Sequence, residues 1–418
     1  MESTQPSGGK IFTPYQVFII AILAILQFTI ILDFMVLAPL GVILLKELTI
    51  TTEQFGWVVS AYAFSAGASG FLAAGFADKF DRKKLLLFFY AGFILGTLFC
   101  ALAKDYHLLL IARIVTGIFG GVIGSVSFAI ITDLFKMEVR GRVMGFVQMA
   151  FASCQILGIP IGLKLTEYWG WHSPFFMIVG LSIAVGIAII VYMKPVDIHL
   201  KNPGDGNAFN HLLNTLSQPN YLRAFAATIL LATGGFMLMP FGSTFAINNL
   251  GMTLDQFNYV YIITGIVTVI TGPLIGKLSD KIGKYEVFFF GSLLAIATIL
   301  IYCNLGVTPL WILIIINALM FVGVSSRMIS SSALMTAIPE PKDRGAFMGI
   351  NSSIAQVAGG FAAVIAGKIV VQTPGGYLER YDILGYTVTG SITITIIMMY
   401  FLNRFIKRKG AAVNKAAG

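Results

Sequence analysis

Long apolar runs separated by short polar links organise this chain from end to end. The runs cover 15–45, 54–76, 84–103, 107–134, 142–166 and 172–194. After a polar stretch they resume at 221–248, 255–277, 285–303, 308–336, 345–371 and 384–405. A helix of about 20 residues crosses a hydrocarbon layer about 30 Å thick, so each run is long enough to span a membrane. Backbone in lipid must satisfy its own hydrogen bonds, and the two-residue alternation of a barrel strand is absent, so the runs are expected to be helices. The stretch 195–220, KPVDIHLKNPGDGNAFNHLLNTLSQP, carries Pro195, Pro203, Gly204 and Gly206 and separates two parts of equal span count. The expectation is an all-α membrane protein of twelve transmembrane helices in two six-helix bundles, residues 1–194 and 221–418, joined by a cytoplasmic linker.

Composition agrees with the pattern. Of 418 residues, 57% are hydrophobic and 11% charged, against roughly a quarter charged in soluble domains. The net charge of +9 would suit a nucleic-acid binder, but its distribution excludes that reading. Most of the 28 lysines and arginines fall in alternate links, among them Lys79, Arg82, Lys83 and Lys84; Lys136, Arg140 and Arg142; Lys277, Lys281 and Lys284; and Arg404, Lys407, Arg408 and Lys409. Basic loops stay on the cytoplasmic side. Both termini are therefore expected in the cytoplasm of a multi-pass protein, and the short loops point to a bacterial inner (plasma) membrane. Cys100, Cys154 and Cys303 lie scattered in apolar runs, so neither a metal site nor a disulfide is expected. No phosphate-binding glycine loop and no hydrolase or metalloprotease motif occurs, which removes ATP-driven transport and enzymatic catalysis from the expectation.

The two parts echo each other. AGFADKFDRKK at 74–84 follows the second run and GKLSDKIGKYE at 276–286 follows the eighth, with Asp78 and Asp280 202 positions apart. RGRVMG at 140–145 opens run five and RGAFMG at 344–349 opens run eleven. Duplicated, pseudo-symmetric halves are typical of transporters that rock around a midplane site. Gly276, Leu278, Asp280, Lys281, Gly283 and Lys284 resemble the signature loop of the major facilitator superfamily. In the first copy Asp78, Lys79 and Arg82 match, while Ala74 and Asp81 stand where that family has glycine. Arg113 with Gly117, Gly120, Gly121 and Gly124 resembles its R-x-x-x-G motif, and Asp133 with Arg140 its D-x(6)-R-G element. Gly158, Pro160 and Gly162 resemble the kinked motif of its exporters, with the order altered. Leu32, Asp33 and Pro39 resemble the span-one motif of its twelve-helix drug:proton antiporters. The resemblance implies alternating access by a monomer, with Asp78 latching on the start of span eleven and Asp280 on the start of span five. Arg82, Asp133, Arg140, Lys284 and Arg344 belong to the same latch network.

Asp33, Arg113 and Arg327 fall deep inside apolar runs. Such residues cost roughly 2.5–3.5 kcal/mol each at mid-bilayer on insertion scales, so they face a cavity or a partner rather than lipid. Family resemblance places spans one, four, seven and ten around the central cavity. Asp33 is the candidate coupling-proton carrier, with Arg113 its modulator; a static ion pair is the alternative. Arg327, among Ser325, Ser326, Ser330, Ser331 and Ser332, is a candidate for an anionic or zwitterionic substrate group, or else a gate residue bonded to carbonyls. Gln155, Asn351, Phe34 and Tyr62 complete the candidate substrate-binding set. No cofactor is expected; a proton gradient supplies the energy. The leading expectation is proton-coupled export of small amphiphilic or drug-like compounds. A sugar or other polar-metabolite exporter or symporter, and a lysolipid transporter of the same fold, stand as alternatives.

Overall fold

The computed structural model describes residues 12–73, 76–197, 200, 208–340 and 343–417. Among them, twelve helices are long and apolar enough to cross a membrane. Spans one to six are Pro14–Glu47, Thr52–Ala73, Arg82–Leu102, Tyr106–Leu134, Arg142–Trp169 and Ser173–Tyr192. Spans seven to twelve are Tyr221–Asn248, Leu254–Ile282, Lys284–Cys303, Leu310–Thr336, Arg344–Ile369 and Tyr381–Arg408. Each lies within a few residues of its apolar run. Large apolar side chains such as Phe88, Phe290, Ile190 and Phe401 stand more than half exposed on the outside of the bundle. That arrangement suits lipid as the outer solvent, where helices need no polar face.

Helix starts are set by local chemistry. Thr13 and Gln16 close a reciprocal capping box before span one, and Thr253 and Gln256 do the same before span eight. Asp81, at the position where the signature loop has glycine, caps span three by accepting from the Lys84 amide at 2.9 Å. Its other oxygen accepts from the Val196 amide at 3.1 Å. The departure from the motif thus ties the start of span three to the chain just beyond span six.

The polar linker is partly helical. Ala208–Leu216 forms a helix, and Leu212 and Thr215 are buried. On the opposite face of the molecule a two-residue antiparallel pairing, Val371–Gln372 with Leu378–Glu379, connects spans eleven and twelve. Asn249 pins it by exchanging two hydrogen bonds with Leu378, at 2.8 and 2.9 Å.

Two spans are irregular. Span five widens into a π-turn at Cys154–Gly158 directly before Pro160, and the Ile159 amide reaches the Cys154 carbonyl. Proline has no amide to donate and its ring crowds the preceding turn, so one wide turn relieves the clash. Beyond it, a Cβ on Gly158 would stand 2.7 Å from Leu32, and one on Gly162 3.3 Å from Val36. The glycines of the motif therefore seat span five against span one. Span seven breaks between Phe236 and Gly242, with a short 3₁₀ turn at Met239–Phe241.

Span one begins, span six ends and the linker departs on one face, where the Lys194 amide donates to the Tyr15 hydroxyl at 3.0 Å. On the far face from this linker side the two halves touch. Ser243 donates to the Ala38 carbonyl at 2.8 Å, Asn258 to the Pro160 carbonyl at 3.4 Å, and Lys164 lies 3.4 Å from Asp255. Spans two and eleven run in contact from Gly56 at Ala363, through Ser60 at Gly360, to Gly67 at Ser353. Toward the linker side spans five and eight part. A Cβ placed on Gly145, Gly272, Gly276 or Gly349 would meet nothing within 4 Å. The space between the halves is thus closed on the far side and open on the linker side.

Candidate functional site

The centre of the first half holds an ion pair with no exposure on either side chain. Arg113 on span four donates from Nη1 to Asp33 Oδ2 on span one at 2.7 Å. Thr97 on span three donates to Asp33 Oδ1 at 3.1 Å. The Arg113 guanidinium also lies 4.6 Å from the centre of the Tyr62 ring on span two. Its Nε and Nη2 have no hydrogen-bond partner. Four spans therefore converge on one buried charge pair. Close approach makes this possible: a Cβ on Gly117 would stand 2.5 Å from the Tyr62 carbonyl, and one on Gly121 2.3 Å from that of Ala66. The R-x-x-x-G spacing is what lets span four lie flat on span two. Leaving one member of a buried pair uncompensated costs about 3–5 kcal/mol.

Tyr62 connects this pair to the midline. Its ring lies 5.4 Å from Phe34, and Phe34 lies 5.9 Å from Phe236 on span seven. Phe34 and Phe236, with Val59, Met239, Pro240 and Gln356, line a small apolar cavity between the halves. The enclosed cavity draws on spans one, two, seven and eleven.

The remaining candidates lie apart from this cluster. Gln155 is buried with an unpartnered Oε1, next to the close approach of span five to Gly265. Asn351 accepts from Thr228 at 2.6 Å and so ties span eleven to span seven. Arg327 is buried inside the second half, 5.8 Å from the Phe288 ring, with Nε and Nη2 unpartnered.

In the latch region Arg82 Nε stands 3.3 Å from Asp133, and Nη1 donates to the Ala77 carbonyl at 3.0 Å. Arg140 donates to the Phe135 carbonyl at 2.8 Å and to that of Thr132, so it caps the end of span four. Asp280 does not reach span five here. The linker-side ends of spans five and eight are parted, and its carboxylate pairs with Lys284 at 2.8 Å instead. The side chain of Asp78 lies outside the described residues. Arg344 is exposed at the first turn of span eleven.

Sequence reasoning missed Thr97 as a donor to Asp33, and it missed Asp343. That residue is buried and accepts from Tyr221 at 2.9 Å and Gln218 at 3.4 Å, with His211 Nε2 at 3.0 Å. It docks the linker helix on the start of span eleven. Its place one residue before the RG helix start was the available signal.

Two six-span bundles around a central space, closed at one face and carrying a sealed charge pair in one half, have the architecture of a multi-pass membrane transporter. The family model of the Major Facilitator Superfamily matches residues 23–226 and again residues 224–417. The chain belongs to that superfamily. It is 24% identical over 389 residues to a bicyclomycin resistance protein homolog of Haemophilus influenzae, covering 87% of this chain and 91% of that one. It is 22% identical over 334 residues to a probable sugar efflux transporter of Helicobacter pylori, covering 80% and 83%. Multidrug resistance protein 3 of Bacillus subtilis is 31% identical over 153 residues, 37% of this chain and 30% of that one. Among solved structures, the nucleoside transporter NupG superposes with a TM-score of 0.74 at 13% identity, over 92% of this chain and 98% of that one. A bacterial homolog of the human lysosomal transporter Spinster superposes with a TM-score of 0.69 at 15% identity, over 97% and 98%.

Proposed function

We propose that this chain exports small amphiphilic compounds in exchange for protons, with both termini in the cytoplasm of a bacterial inner membrane. The observation that carries the reading is the sealed Asp33–Arg113 pair, joined through Tyr62 and Phe34 to an apolar cavity between the halves. With the termini in the cytoplasm, the linker-side opening faces inward, and the paired carboxylate is the proton-free form.

A proton arriving from outside neutralises Asp33. Arg113 then loses its counter-ion while it stays buried against Tyr62, which shifts the balance between the two arrangements of the halves. An exchange cycle follows if substrate leaves as the proton enters. The Asp33 proton is released inward when Arg113 pairs again. The coupling is a differential stability of two states, set by one charge. The apolar, aromatic cavity wall suits amphiphilic substrates, and relatives named for multidrug and bicyclomycin resistance point the same way. Relatives named for sugar efflux keep a polar-metabolite exporter as the second reading.

The test is ethidium accumulation in cells expressing wild type or Asp33→Asn, with and without a protonophore. The proposal requires lower dye levels with wild type, and loss of that difference with either the protonophore or the substitution. Efflux by folded Asp33→Asn that still tracks the proton gradient would remove Asp33 from coupling. A folded wild type that moves no dye would transfer the case to polar metabolites.

A further inference from the structure

The two halves differ at one position where their repeat predicts sameness. Pro39 in span one and Pro240 in span seven are 201 residues apart, and the Thr51–Gln54 and Thr253–Gln256 helix starts are 202 apart. Both threonine–glutamine pairs make the same reciprocal bonds. Six residues before Pro39 stands Asp33, the counter-ion of Arg113. Six residues before Pro240 stands Gly234.

Gly234 faces an arginine too. A Cβ built on it would lie 3.9 Å from Arg327 Nη2, with Ser391 and Ile392 of span twelve at 3.6 and 3.4 Å. All three are ordinary contact distances, so this point can be occupied without strain. Arg327 lies on span ten, the counterpart of the span that carries Arg113. The second half thus retains the buried arginine and lacks the carboxylate.

The sequence supplies no substitute. No aspartate or glutamate occurs between Asp205 and Asp255, between Glu286 and Glu340, or after Asp382. Among the described residues no ion pair involves Arg327, and both Nε and Nη2 are buried without a partner. These two atoms form one edge of the guanidinium, the fork that grips a carboxylate in two parallel hydrogen bonds. Ser330, one turn further along span ten, is buried with a free hydroxyl as well. Span seven breaks two residues beyond Gly234, and discontinuous spans are where transporters of this architecture build ligand sites. Gly235 beside it is exposed, with nothing within 4 Å of its Cβ direction. Phe236 then lines the central cavity.

We infer that Arg327 receives the carboxylate of an organic ligand, which enters beside Gly234 and takes the place that Asp33 fills in the first half. The inference rests on the reading of the chain as an exporter of amphiphilic compounds and adds to that class compounds bearing a carboxylate next to an apolar body. The Phe288 ring beside the guanidinium offers an apolar face to that body.

The test is calorimetric and thermal-shift titration of the purified full chain in Tris–sulfate buffer. Benzoate, benzamide and chloride are the probes. The assay has no proton gradient and no transport, so it can fail while proton coupling stands, and the reverse. Benzoate should bind wild type at least tenfold more tightly than benzamide, and Arg327→Gln should lose that preference. Gly234→Asp supplies the missing carboxylate and should abolish benzoate binding. Without ligand it should melt above Gly234→Asn, which adds the same volume without the charge. Equal binding of benzoate and benzamide, no binding of either, or undiminished benzoate binding by Gly234→Asp would overturn the assignment. A response to chloride alone would reduce the site to a structural halide site and overturn it equally.

Discussion

Arg113 lies over Tyr62, 4.6 Å from the ring centre, while the same guanidinium holds Asp33 at 2.7 Å. One cation thus serves a ring and a carboxylate at once, sealed from solvent. A desolvated cation–π contact contributes about 2 kcal/mol. Tyr62→Phe keeps the ring and should melt within a few degrees of wild type. Tyr62→Leu should lose about 2 kcal/mol of thermal stability in detergent and lower the dye-efflux rate.

The pair itself is tested by compensation. Asp33→Ala leaves a buried guanidinium without its counter-ion and should cost about 3–5 kcal/mol. Combining Asp33→Asn with Arg113→Gln removes both charges and should recover most of that loss in a thermal melt. Proton-driven transport in proteoliposomes should stay absent. Recovery of transport by the double variant would make the pair a structural element only.

The far-side closure gives a locking experiment. Ser243 donates to the Ala38 carbonyl at 2.8 Å across the halves. In a background without Cys100, Cys154 and Cys303, the pair Ala38→Cys and Ser243→Cys should join under a short thiol-specific cross-linker. Transport should stop on cross-linking and return on reduction. Full activity of the cross-linked protein would exclude rocking at this contact.

Glycines on the two sides of the midline should respond differently. Gly121→Ala meets the Ala66 carbonyl 2.3 Å away and should destabilise by about 1–3 kcal/mol through overpacking. A Cβ on Gly349 would meet nothing within 4 Å in the open form, so the melting of Gly349→Leu should stay within about 0.5 kcal/mol of wild type. Its transport rate should fall nonetheless, because the added side chain obstructs linker-side closure.

The linker helix has its own anchor. Asp343→Ala removes the acceptor of the Tyr221 hydroxyl and one partner of His211. Loss of a buried hydrogen-bonded group costs about 1–3 kcal/mol. Hydrogen exchange should accelerate over 208–216 with little change in span one.

The spans and the repeat were legible because lipid imposes a length and a uniformly apolar composition, and because two loop signatures recur at nearly one offset. Asp33 and Arg113 stood out since an ion in an apolar run demands a partner. The linker helix escaped because nine residues, in which Leu212 and Thr215 are buried, read as polar chain. Asp343 escaped for a related reason: at a basic loop an acid looks solvated, and only the fold reveals that Tyr221 and the linker enclose it. The placement of Asp280 depends on which face is open, and that is a property of the state rather than of the residue order.

The wide turn at Cys154–Gly158 acts as a phase shift along span five. A regular α-helix advances by about 100° per residue, from 3.6 residues per turn. One extra residue in a turn therefore rotates everything beyond it by about that angle relative to a regular helix. The linker-side portion of span five and the portion carrying Gly158 and Gly162 thus present faces that no straight helix of this sequence could present together. The far portion shows its glycines to Phe28, Leu32 and Val36. Were the turn to tighten to a regular one, those contacts would swing out of register with span one. The angular setting of the far portion is a variable that one carbonyl, that of Cys154, controls.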